Sequence, residues 1–133
     1  NVIAKTLEEE VMMGIKPREI ALEEWFQRRS DDPDITATGK LQADAFAEII
    51  ADEIRSKGSI ALACSPMLRS MKTVQPLAMA LDEDVTVLPN VFEVAGCYRT
   101  QPDGVHVPGA ALGAEDIRRL FPRYDVSRLP QTG

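Results

Sequence analysis

The chain has 133 residues, 44% hydrophobic and 27% charged, with 9 Pro and 8 Gly, the proportions of one ordinary globular domain. A chain of this size buries enough apolar surface to fold without staples, and its longest apolar run, Ile60 to Cys64, falls far short of the roughly 20 residues of a membrane span. Its 15 Lys and Arg against 21 Asp and Glu leave a net charge of −6, which repels phosphate backbones; the pairs Arg28-Arg29 and Arg118-Arg119 lack interleaved aromatics, so nucleic acid is not an expected partner.

In chain order, Val2 to Lys5 reads as a short strand. Pro17 to Arg28 reads as a helix with Ile20, Leu22, Trp25 and Phe26 on its apolar side. The clearest helix is Thr38 to Lys57, where Leu41, Ala45, Phe46, Ile49, Ile50 and Ile54 recur at three and four residues, Thr36 is the N-cap and Gly58 the stop. Ser59 to Cys64 is small or apolar throughout and predicts a strand covered on both faces, as in a parallel sheet.

Ser65-Pro66 predicts an N-cap and first helical residue, opening a helix to about Leu81. Met67, Leu68, Met71, Val74, Leu77, Ala78 and Leu81 form its apolar face, and Pro76 should kink it or split off its last turn. Val85 to Leu88 is the next strand; Glu93 to Gly113 is a long loop, and a short helix runs from Ala114 to Phe121. Alternating strands and helices define an α/β layered fold.

Candidate chemistry is sparse. Cys64 and Cys97 lack CxxC spacing, so neither zinc nor a disulfide framework is expected, and a reducing, intracellular compartment follows. The chain opens at Asn1 without signal- or transit-peptide patterning, which reads as a mature or trimmed form. Glu8-Glu9-Glu10 and Asp31-Asp32-Pro33-Asp34 are acidic clusters without the alternating spacing of a calcium loop, and read as solvated charge. No metal and no cofactor are implied. Met12-Met13 and Trp25-Phe26 read as core by default, with an exposed docking surface as the alternative. The most informative arrangement is the strand ending at Cys64-Ser65-Pro66 and the helix start carrying Arg69: either an anion site at a helix N-terminus or a capped helix with a solvated Arg.

Two blocks, Ile35-Thr36-Ala37-Thr38-Gly39-Lys40-Leu41-Gln42-Ala43 and Ser65-Pro66-Met67-Leu68-Arg69-Ser70-Met71-Lys72-Thr73, resemble the two helix starts of the histidine phosphatase superfamily, the phosphoglycerate mutase-like proteins. Val91-Phe92-Glu93-Val94-Ala95-Gly96 is similar to the segment bearing the family's acidic proton donor, which puts Glu93 at that position. Pro108-Gly109 and Phe121-Pro122-Arg123-Tyr124 resemble elements of a subset. The resemblance covers about Val2 to Tyr124 and implies a three-layer fold, a mainly parallel sheet flanked by helices, with the C-terminal part missing: one partial domain over 1–133, loop-rich from about 94.

The family's chemistry needs an attacking His at the end of the first strand, a second His, and an Arg pair around one phosphate. Aligned on Ile35, Lys5 stands where the family has Arg and Thr6 where it has the nucleophilic His, while Glu8 keeps the acid. The second His belongs to a motif expected beyond Gly133, and the single histidine, His106, sits in a loop context. No catalytic set is intact; Lys5, Ser65 and Arg69 are the phosphate-binding remnants. The expected function is a noncatalytic structural or interaction subunit of a larger protein assembly. Its partners would be other protein subunits, with phosphate or a phospho-ligand bound weakly at most. The competing class is a metal-independent phosphomonoesterase or phosphotransferase whose histidines come from another chain or from removed residues.

Overall fold

In the computed structural model, which describes residues 2–91, 97–101 and 103–130, the first element is a helix. α1 spans Val2–Met12 and α2 Arg18–Arg28; α3 is Ala37–Ser56, β1 Leu62–Cys64, α4 Leu68–Leu81 and β2 Val85–Val87. The hairpin strands β3, Tyr98–Thr100, and β4, His106–Pro108, follow, then α5, Ala114–Leu120, and β5, Tyr124–Asp125. The strand expected at Val2 to Lys5 is thus the first turn of α1. Leu7 and Val11 recur at helical spacing among the strong helix formers Glu8, Glu9, Glu10 and Met12, and that run outweighs the β-branched start.

The sheet order is β1-β2-β5, all parallel, with Leu62 opposite Val85 and Val85 opposite Tyr124. The expected parallel pairing of the strands near Ile60 and Val85 holds, and the chain is α/β. Residues in register share a face, so Cys64, Val87, Val85 and Tyr124 look one way, and all four are buried. With Met71 and Ala78 of α4, Ala114, Ile117 and Phe121, and then Val126 and Leu129, they form one core. The Tyr124 hydroxyl donates to the Met71 carbonyl at 2.8 Å, tying the sheet to the middle of α4. The opposite face carries Ala63, Thr86 and Asp125, which are exposed, half-buried and exposed. Of the layers expected around the sheet, the described residues therefore fill one side, and β1 is less covered than its composition predicts.

α3 begins as expected: Thr36 caps it, its hydroxyl accepting from the Gly39 amide at 3.0 Å, and Gly58 follows its end with φ +92°. Its buried face differs from expectation. Ala43, Ala47 and Ala51 are buried, whereas Leu41, Phe46 and Ile49 face outward, Ile49 at 81% exposure. α3 packs mainly against α4, and an alanine stripe lets two helices approach closely, which leaves Leu41, Phe46 and Ile49 on the free side while Ile50 and Ile54 are half-buried. α2 repeats this pattern: Ala21 is buried, and Ile20 and Leu22 are exposed. Met12 and Met13, expected in the core, are exposed as well.

α4 runs unbroken through Pro76 and ends at Asp82, whose φ of 57° does the left-handed work usually given to glycine. The stretch expected as loop beyond Glu93 contains the antiparallel β3–β4 hairpin, with Arg99 opposite Val107. α5 falls where its sequence places it.

The two kinds of apolar position give a direct test of this core. Ile117→Ala should cost about 3 kcal/mol, since Ile117 is fully buried. Ile49→Ala should stay within about 0.5 kcal/mol. Urea denaturation reads both, and a large loss at Ile49 would mean that the bulky face of α3 is the buried one.

Candidate functional site

Of the residues the sequence offers for phosphate chemistry, Ser65 and Arg69 lie at the start of α4. Three elements meet there: the end of β1, the first turn of α4, and the 29–34 connection between α2 and α3. Ser65 is buried, yet it is not the cap; helical geometry begins at Leu68, with Met67 in the capping position and no cap bond from its own side chain. The cap comes from across the chain. Both carboxylate oxygens of Asp32 accept from the Leu68 amide, at 3.0 and 3.1 Å. A helix N-terminus presents unpaired N–H groups and a positive dipole end, and here a side-chain carboxylate already takes that place.

Asp32 sits in a tight electrostatic setting. Burial pushes its carboxyl above the ordinary value; the Leu68 N–H and the Arg69 charge pull it back, and Asp34 adds to the rise. Arg69, half-buried, donates to the Met67 sulfur at 3.2 Å. It lines a groove of about 480 Å³ with Phe46, Ala63, Cys64 and Val74, alongside the outer edge of β1, which no strand pairs among the described residues.

The flanking aspartates are bonded as well. Asp31 accepts from Arg99 Nη2 at 2.9 Å and from the Ala110 amide at 3.0 Å, which holds the β3–β4 hairpin against the 29–34 segment, and the Arg99 bond keeps its carboxyl below the ordinary value. Gly109 is required by this contact, since a Cβ there would lie 2.7 Å from that of Asp31. Asp34 accepts from Lys72 on α4 and from the Ile35 amide. The cluster expected as solvated charge is thus a three-way clamp, and no group of residues that could hold a metal ion occurs among the described residues.

The remaining candidates do not join this place as the family's chemistry would require. Lys5 and Thr6 lie in α1, which packs against α2, instead of at the end of a strand. Glu93 lies outside the described residues. His106 stands on β4, where its Nδ1 is 2.9 Å from the Thr100 hydroxyl and its ring meets Tyr98 edge-on. Burial pushes the Cys64 thiol up to about 11 and raises Cys97 too, so neither is a ready thiolate. Asp32 is the residue that sequence reasoning missed at the site. Its place in an acidic run directly ahead of the Thr36 cap was the available signal, but nothing local pointed to a helix 36 residues away.

Residues 19–101, more than half of the chain, match the family model of the histidine phosphatase superfamily (branch 1), and the chain belongs to that superfamily. The match holds both helix-start blocks and Arg69 and leaves α1, with Lys5 and Thr6, outside. No curated protein and no solved structure matches the chain.

The cap can be tested by substitution. The folded state holds the Asp32 proton more tightly than the unfolded chain does, so ionising Asp32 costs stability as pH rises through its raised value. Asp32→Asn keeps an acceptor without the charge: it should equal or exceed the parent at neutral pH, with any advantage fading as pH falls and the parent becomes protonated. Asp32→Ala orphans the Leu68 amide and should cost about 1 kcal/mol. Thermal melts between about pH 4 and 7 bracket the carboxylate range. Equal losses in the Asn and Ala variants would mean that Asp32 does not act as an acceptor.

Proposed function

We propose that this domain is a noncatalytic member of the histidine phosphatase superfamily that works as an interaction subunit in a larger protein assembly. The observation that carries the reading is the Asp32 carboxylate on the first turn of α4. A substrate phosphate at that helix start would meet a fixed negative charge and a spent N–H donor, where the family's chemistry needs positive charge and free donors. The chain's single histidine lies on the β3–β4 hairpin, and the position aligned with the nucleophile is Thr6 on α1, a hydroxyl that needs an adjacent base to attack phosphorus.

The interaction half of the proposal draws on what the fold leaves uncovered. Among the described residues the outer edge of β1 is unpaired, the face bearing Ala63 is exposed, and Leu41, Phe46 and Ile49 project from α3. Unpaired strand edges and contiguous apolar area favour association with another chain.

Purified protein should hydrolyse a generic phosphomonoester no faster than buffer, and Thr6→Ala and Arg69→Ala should leave that baseline unchanged. Turnover abolished by Arg69→Ala would overturn the noncatalytic reading. Sedimentation should show association; a stable monomer at micromolar concentration would remove the interaction reading.

A further inference from the structure

The helical hairpin α1–α2 carries a surface separate from the β1 edge. Its two helices pack chiefly on each other, and two helices alone cannot close a core around their apolar sides. A groove of about 500 Å³ runs between them, walled by Val11 and Met12 of α1 and by Leu22 and Trp25 of α2. Met12 is 87% exposed, and the apolar surface continues past the groove through Met13, Ile15 and Ile20 around the interhelical turn. That length suits a polypeptide better than a small molecule. Neither helix offers a free backbone edge, so a strand gains nothing there, whereas a third helix can seat its ridge between the first two.

Charge narrows the occupant further. Four charged side chains of the hairpin neutralise one another: Lys16 pairs with Glu10 and Glu24, and Arg28 with Glu24. Two that line the groove do not. Glu8 on the α1 side and Arg18 on the α2 side are exposed and form no ion pair among the described residues. One wall of the groove therefore ends in an unspent negative charge and the other in an unspent positive one.

We propose that the α1–α2 groove docks an amphipathic helix of a partner protein, with an apolar seam on Met12, Leu22 and Trp25, a basic flank toward Glu8 and an acidic flank toward Arg18. Hydrophobic burial supplies affinity, and the two rim charges select the partner.

Trp25 is the chain's only tryptophan, so its emission reports occupancy of the groove. The full chain would be titrated with three synthetic Trp-free amphipathic helices sharing one Leu seam: one with a Lys flank and a Glu flank, one with two Lys flanks, one with two Glu flanks. The mixed peptide should shift Trp25 emission to the blue saturably and bind about fivefold tighter than either uniform peptide, a ratio within reach of two rim pairs. Glu8→Lys should transfer the preference to the two-Glu peptide. Leu22→Asp and Met12→Asp, at exposed positions that leave the fold intact, should each abolish the shift. The proposal falls if no peptide shifts the emission, or if the two-Lys peptide binds best and Glu8→Lys changes nothing, which is attraction to net charge alone. It falls equally if emission shifts with the protein's own concentration, which would assign the groove to a second copy.

Discussion

Three carboxylates within four residues organise the body of this domain. Asp31 holds the β3–β4 hairpin through Arg99 and the Ala110 amide, Asp32 caps α4, and Asp34 takes Lys72 on the same helix. The 29–34 connection has no regular structure of its own, yet elements more than 30 and more than 60 residues downstream are fastened to it. A carboxylate can do this because it has several acceptor sites and is satisfied by N–H donors and cations together. The arrangement explains why three negative charges tolerate one another: each has its own donors, and while burial pushes the carboxyl of half-buried Asp32 above the ordinary value, the Arg99 bond holds that of Asp31 below it.

Around that clamp the fold is one-sided. The buried face of the sheet is filled by Met71 and Ile117 against Val85 and Val87, and the other face, with Ala63 and Asp125, is open among the described residues. α3 adds to the asymmetry by setting its alanines against α4 and turning Leu41, Phe46 and Ile49 outward. Helix pairs held by small residues pack closely but bury little area per residue. The apolar stripe Leu41, Phe46 and Ile49 is then surface in this chain, and its contribution to free energy belongs to whatever covers it.

These same facts mark what the sequence could and could not say. Local chemistry was legible: the Thr36 cap, the Gly58 stop, α5, and the parallel pairing of β1 with β2 all follow from capping and period. The family was legible too, because its two helix-start blocks have fixed spacing. Periodicity showed that α3 is amphipathic but could not decide which of two apolar faces, alanine or bulky, meets α4. Residues 2–5 read as a short strand by their apolar, β-branched start, and the helix formers that follow them decided otherwise. The β3–β4 hairpin was hidden in a Gly- and Pro-rich stretch, since its strands are three residues each and depend on Asp31 for their position. The cap of α4 was illegible for a deeper reason: the amides of an N-terminal turn donate to any well-placed oxygen, and an acceptor distant in sequence leaves no local trace.

That indifference bears on how a superfamily fold can persist apart from its chemistry. The first-turn amides of α4 need an acceptor whether or not a substrate is present, and an empty anion site is a standing cost to the helix that forms it. Supplying the oxygen from Asp32 removes that cost, and the neighbouring Arg69 charge offsets part of the burial that raises its carboxyl. On the noncatalytic reading, the feature that would exclude phosphate is the one that secures α4, and through Met71 and Tyr124 the sheet beneath it. Selection for a stable scaffold and loss of the phosphate pocket would then be the same physical event, with no need for the second to precede the first.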